Sequence, residues 1–241
     1  MPFPLAHPAA VLPLRRYCPR WLSFPALVIG SLTPDAGYCL GSLGGRDWGL
    51  FTHGMLGSVV FCLPLGMVLL ALFYGLRSPV VRILPPPYQQ AFLPLCNRSC
   101  SSAWVVVISL LVGTWTHLLW DSFTHSDGWC VQHLPVLDSV VFSVGGHTAR
   151  VCHVLWYGCS FAGVIFLFLA FDKWKRACIT GGAGASGKGR LLYAVLAAIL
   201  VLPMELAHHL AGSDRPVLYL VAAVCALPML VFALKLGNAR A

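Results

Sequence analysis

Residues 103–125 read AWVVVISLLVGTWTHLLWDSFTH. Ala103–Trp120 carries no Asp, Glu, Lys or Arg, and a helix needs about 20 apolar residues to cross a hydrocarbon core of about 30 Å. The stretch therefore reads as a membrane-spanning helix. Its end is different in kind. His117, Asp121 and His125 are spaced i, i+4, i+8, and each step of four residues turns a helix by only about 40°, so the three project from one stripe. A carboxylate at mid-span costs roughly 2.5–3.5 kcal/mol, and less near an interface. Such a group needs a partner. A cation supplies one, because imidazole and carboxylate are ligands that Zn²⁺ and related ions take. Polar bonds to neighbouring helices are the other way to satisfy the same three side chains.

Outward from this helix, four more stretches are long and apolar enough to span: Met55–Leu76, Val154–Phe171, Leu191–Ala211 and Pro216–Leu236. Trp21–Thr33 is apolar but stops at Pro34 and Asp35, too early to cross comfortably, so it reads as a helix packed into the bundle or dipping in from one side. The whole chain agrees with this picture. Of its 241 residues 58% are hydrophobic and only 10% charged, against about 25% charged in a soluble domain. The expected fold class is all-α: a polytopic membrane helix bundle of about five transmembrane helices plus a short N-terminal helix. It forms a single integral membrane domain, 1–241. Within it, 1–54 is an N-terminal site segment and 55–171 holds the core spans. A flexible basic linker at 172–190 leads to a C-terminal helix pair at 191–241. The opening MPFPLAHPAAVLP lacks a basic region before an apolar core, so no cleavable signal peptide is expected.

The net charge is +8. In a membrane protein that excess belongs to the cytoplasmic face rather than to a nucleic acid. Placing Arg77, Arg82, Arg98, Lys173, Lys175, Arg176, Lys188, Arg190, Lys235 and Arg240 on one side collects ten of the sixteen basic groups. That side is the cytoplasm, and it holds the C-terminus. All nine histidines, and every acid except Asp172, then fall at or near the opposite, extracytoplasmic face. The expected location is the inner (plasma) membrane.

Further candidates lie on that face. His7 stands in Ala-His-Pro, Asp35 closes the short apolar segment, and His53 stands in Phe-Thr-His-Gly just before the first full span. Alone, each His reads more readily as a satisfied polar residue than as a ligand, and the Pro-Asp pair as a turn or helix cap. Thr116 and Thr124 flank the central stripe as supporting hydroxyls. Glu205 shares a helix face with His208 and His209, at i+3 and i+4; this trio either completes the site or forms a local ion pair. Asp127 in Ser-Asp-Gly reads as a turn, and Asp47 and Asp138 read as solvated.

Four blocks, MPF-x3-HPAAVLPLRR, ALVIGSLTPD, FTHGMLG and THLLWDSFTH, resemble a family of bacterial multi-pass membrane proteins, domain of unknown function 4184. That family in turn resembles the membrane-bound metal-dependent hydrolases, and its ligand order is similar to that of the helical zinc-dependent phospholipases C. Beside a bound metal, a carboxylate with a free oxygen can take a proton from water, so Asp35 or Asp121 is the candidate catalytic base. The resemblance implies His7, Asp35, His53, His117, Asp121 and His125 as metal ligands. It implies a divalent metal, zinc by type. No His-x3-Glu follows His125, so one or two ions are expected rather than three.

Other motifs carry less. Gly182–Gly189, GAGASGKG, is close to a phosphate-cradling loop, but it ends in glycine where Ser or Thr would hold Mg²⁺, and it follows a basic membrane flank rather than a strand. No nucleotide is expected. Cys62, Cys159 and Cys225 read as small apolar residues. Cys96 and Cys100 lack a nearby histidine. Cys130 and Cys152 flank an outer loop and can pair in an oxidising compartment. Two functions remain open. One is a membrane-bound metal-dependent hydrolase acting on an amphiphilic ester, such as a phosphoester or lipid headgroup. The other is a non-enzymatic carrier or scaffold whose His/Asp cluster is structural or ion-binding. A carrier needs a polar path to the cytoplasmic side, and the cytoplasmic halves of the spans are almost free of ionisable groups.

Overall fold

The computed structural model of the chain describes residues 3–41, 47–144 and 147–179. Three helices in it are long and apolar enough to cross a membrane: Met55–Arg82 (α4), Ala103–Thr124 (α6) and Val151–Cys178 (α9). The spans expected at Leu191–Ala211 and Pro216–Leu236 lie outside the described residues, as do Glu205, His208 and His209. Each described span overruns its apolar stretch. α4 continues past Leu76 through Arg77 to Arg82, and α9 past Phe171 to Cys178. The bilayer limits the apolar length of a helix, not its hydrogen bonding, and basic side chains can carry a helix out into the headgroups. The expected linker therefore begins later than residue 172, since Asp172 pairs with Arg176 and Lys175 on the last turns of α9.

α6 is the central helix. Val106, Ser109, Leu110, Gly113, Thr114, His117, Asp121 and Thr124 are buried, and their spacing by threes and fours forms one inward stripe. Trp104, Trp115, Leu119 and Phe123 face outward. The short apolar segment folds as Phe24–Gly30 (α2), a helix of seven residues, which rises about 10 Å and cannot span. It lies across α6, with Ala26, Leu70, Val106 and Leu110 in one core cluster. The crossing requires two glycines. A Cβ on Gly30 would lie 2.2 Å from the Leu110 carbonyl oxygen, and one on Gly113 2.3 Å from that of Leu27. Ser23 N–H and the Thr114 hydroxyl tie the two helices further, donating to Ser109 Oγ at 2.8 Å and the Gly30 carbonyl at 3.1 Å.

The N-terminus is pinned to α9. Phe3 and Ala6 pack on Val164, and Phe3 N–H donates to Ser160 Oγ at 2.9 Å. This sets His7 at the head of Pro8–Val11 (α1) inside the bundle. Before α4, Trp48–Thr52 (α3) packs on the 3₁₀ segment Pro34–Leu40. Asp47 caps α3 by accepting from Leu50 N–H at 3.0 Å, so it is a helix cap rather than a merely solvated acid. At the other end, Pro86–Cys96 (α5) packs on α4 and α9: Arg77 donates to the Leu95 and Arg98 carbonyls, and Phe92 meets the rings of Phe171 and Trp174.

The described residues are mostly helical, and among them one segment departs from the all-α expectation. Between α6 and α9 the chain forms Trp129–His133 (α7), Pro135–Asp138 (α8) and an antiparallel hairpin, Val140–Val144 (β1) and His147–Arg150 (β2). The reason is local: Val140, Val141, Phe142 and Val144 favour extended backbone, and two glycines follow in the sequence. Asp138, expected to be solvated, pairs with Arg150 across the hairpin base. Cys130 and Cys152 share a small core with Val131 and Leu137, and both are free thiols.

Candidate metal centre

Three elements meet at the end of the bundle opposite α5. α6 supplies His117 and Asp121, the 3₁₀ segment supplies Asp35, and the residue that ends α3 is His53. One atom from each of these four side chains lies within 4.8 Å of all the others. The closest separations are narrow in range. His117 Nε2 lies 3.2 Å from Asp121 Oδ2, 3.3 Å from His53 Nε2 and 3.5 Å from Asp35 Oδ1. His53 Nε2 lies 3.4 Å from Asp121 Oδ2 and 3.7 Å from Asp35 Oδ1. Ligands about 2.1 Å from a tetrahedral ion stand about 3.4 Å from one another. The donors are thus spaced as ligands of one cation.

The imidazoles are aimed by the backbone. His117 Nδ1 is 2.7 Å from the Ser31 carbonyl and His53 Nδ1 is 2.8 Å from that of Gly49. A carbonyl only accepts, so each Nδ1 carries the hydrogen and donates it, and in the neutral ring Nε2 presents its lone pair to the centre. Thr52, donating to the Pro34 carbonyl at 2.8 Å, fastens the α3 side to the Asp35 side. The carboxylates are less well served. Both oxygens of Asp35 and of Asp121 are buried, and apart from the imidazole nitrogens that face them they have no hydrogen-bond partner among the described residues. Two buried acids left so are costly unless a positive charge joins them. The residues present fit a divalent ion.

The surrounding charges agree. Burial disfavours a charge on His53, yet the carboxylates of Asp121 and Asp35 outweigh it and raise this imidazole to about 10. Burial likewise opposes ionisation of Asp35, but His117 and His53 hold its carboxyl below the usual range. Without a metal, the centre is held together by protons on imidazole. His7 differs: burial, then the nearby His117, push it down to about 3, so it is neutral. It stacks on His117 with ring centroids 3.6 Å apart, and its Nε2 lies 3.6 Å from Asp121 Oδ1, the carboxylate oxygen turned away from His53 and His117. Neither ring nitrogen of His7 has a partner among the described residues.

The structure thus brings His7, Asp35, His53, His117 and Asp121 together. His125 is adjacent but is not on the helical stripe, because α6 ends at Thr124 and His125 is extended. Its Nδ1 turns back toward the Asp121 carbonyl at 3.1 Å and lies 3.8 Å from Oδ1, with Nε2 buried and unpartnered. Thr124 Oγ1 lies 3.3 Å from that Nδ1 and supports His125. Thr116 does not reach the centre; its hydroxyl donates to the Gly113 carbonyl of its own helix at 2.7 Å. Residue types did not flag the carbonyls of Ser31 and Gly49, since any residue supplies a carbonyl. Tyr38 went unflagged as well; its ring packs 5.0 Å from that of His53, and burial pushes its hydroxyl up.

Comparison with curated proteins and with solved structures found no match. The family model described as "Domain of unknown function (DUF4184)" matches residues 1–236. It covers all four blocks of the N-terminal resemblance and the two apolar stretches after them, and the chain belongs to that family.

Proposed function

We propose that this chain is a membrane-bound, metal-dependent hydrolase whose centre opens at the extracytoplasmic face of a bacterial inner membrane. The observation that carries the reading is the convergence of Asp35, His53, His117 and Asp121 at ligand spacing with their carboxylates otherwise unpartnered. Zinc is the proposed ion, from the two-imidazole, two-carboxylate donor set. His7 and the free face of Asp121 supply a second position, so the centre takes one or two ions. Its orientation follows from charge: Arg77, Arg82, Arg98, Lys173, Lys175 and Arg176 all lie toward the α5 end, and basic residues favour the cytoplasm.

When bound, such an ion lowers the pKa of water toward about 7 and polarises a phosphoryl or carbonyl oxygen. The protein does the rest. Ser31 and Gly49 fix the imidazoles, and Asp35, with two oxygens for one ligand position, would accept a proton from water at the centre, as Asp121 could. Of the four donor residues, His53 has the most exposed side chain, at 15%, so substrate approaches on that side. A centre at the level of the headgroups suits an amphiphilic phosphoester or lipid headgroup.

The test is turnover in nanodiscs. Zinc-loaded protein should cleave a member of a panel of phosphodiesters and carboxylic esters with amphiphilic leaving groups, chelated protein should not, and Asp35→Asn should lose the activity. The deep burial of Asp35, His117 and Asp121 favours one other reading, a static ion that braces a scaffold. Metal-loaded protein that cleaves nothing across the panel would establish that reading instead.

A further inference from the structure

The segment between α6 and α9 has a surface that the metal centre does not explain. Its inner side is closed by Cys130, Val131, Leu137 and Cys152. Its outer side is apolar. Trp129 and Val136 are each 66% exposed and Phe142 is 56% exposed, and Leu134, Val140 and Val141 are about as open. In β1 the register shifts between Val140 and Phe142, so Val141 has no partner across the hairpin. This bulge breaks the alternation that would turn one face inward, and three consecutive apolar side chains stay open.

In water, a contiguous apolar patch of this kind on an unprotected two-stranded sheet is an aggregation hazard. Here it continues a lipid-facing surface. α7 leaves the end of α6 beside exposed Leu119 and Phe123, and β2 runs into the start of α9 beside exposed Val154 and Leu155. Several polar side chains of the segment are paired within it: Arg150 pairs with Asp138, Ser143 donates to Thr148 at 3.3 Å, and His133 Nδ1 lies 2.8 Å from the Trp129 carbonyl. Trp129 stacks on His133, the mixed aromatic surface favoured at the headgroup level. Among the described residues the sheet has only two strands, so its outer edges hold backbone groups with no ladder partner, which bars the segment from the hydrocarbon centre.

We propose that this hairpin and the two short helices before it lie in the extracytoplasmic leaflet, with Trp129, Val136, Val140, Val141 and Phe142 set at the boundary between acyl chains and headgroups. The inference stands apart from the metal reading, since it uses none of the ligands.

The experiment places the photoreactive residue p-benzoylphenylalanine at Phe142, and separately at Val136, in the full chain in nanodiscs of phosphatidylethanolamine and phosphatidylglycerol. Val68, exposed on α4, is the lipid-facing reference. After irradiation, mass spectrometry should find peptides bearing residues 136 and 142 heavier by one phospholipid, at a yield comparable to that at residue 68. Three results would overturn the proposal: no lipid adduct at either position while residue 68 reacts, cross-links from 136 and 142 to residues 180–241 of the same chain, or cross-links to a second copy. All substituted positions are surface positions, so the label does not disturb packing, and metal content of the labelled protein reports separately on the centre.

Discussion

Replacing Gly113 by alanine tests how the fold holds the centre. The added Cβ would meet the Leu27 carbonyl oxygen at 2.3 Å and Ser31 N at 2.9 Å, where ordinary contact begins at 3.4 Å. The neighbours are backbone of α2 and cannot rotate away, so α2 must move by about 1 Å, and overpacking of this kind costs roughly 1–3 kcal/mol. For a chain of this size that lowers Tm by roughly 2–12 °C. The same displacement carries the Ser31 carbonyl away from His117 Nδ1, which it meets at 2.7 Å. Cation affinity should therefore weaken together with stability. Differential scanning fluorimetry and a competition titration with a zinc-binding dye, both in detergent, read the two effects. Gly75→Ala, where a Cβ meets nothing within 4 Å, is the control and should leave both unchanged or slightly raise Tm. A Gly113→Ala protein that melts and binds zinc like the wild type would refute the argument that this close crossing sets the centre's geometry.

Other consequences follow from the same contacts. Asp121→Asn should weaken zinc binding by more than about a hundredfold, beyond the 10–100-fold typical of losing a supporting partner, in the dye titration. His53 is held protonated up to about 10 by Asp121 and Asp35, and it must lose that proton to bind a cation. Zinc loading at pH 7 should therefore release protons into a weakly buffered solution, and affinity should rise with pH by about tenfold per unit while His53 is the group displaced. Affinity that is flat between pH 6 and pH 8 would contradict this. Asp47→Ala removes the cap of α3 and should cost about 0.5–2 kcal/mol in chemical unfolding, whereas Asp47→Asn, which can still accept from Leu50 N–H, should cost much less.

The membrane class was legible because uncharged runs of about 20 residues have few other uses. The spacing of His117 and Asp121 was legible for the same reason that it works: both lie on one inward stripe of a regular helix. His125 broke the pattern because helix periodicity holds only inside the helix, and the chain leaves it at Thr124. The meeting of Asp35, His53 and His7 with that stripe could not be read from spacing. It depends on the α2 crossing at Gly30 and Gly113, and on Phe3 and Ala6 packing against α9. Only resemblance to a family put these residues together beforehand. The hairpin was missed because the stretch between Cys130 and Cys152 reads as an outer loop, and a run as short as Val140–Val144 lacks the alternation that marks a strand, and Asp47 was missed because a cap depends on where a short helix begins.

Elemental analysis of the detergent-purified full chain, dialysed free of loose ions, tests the centre most directly when wild type is compared with Asp35→Ala, His117→Ala and Asp121→Ala. The account predicts one or two equivalents of a divalent metal in the wild type and little or none in each variant. Equal metal content in all four proteins, or none in a wild type offered zinc, would contradict it.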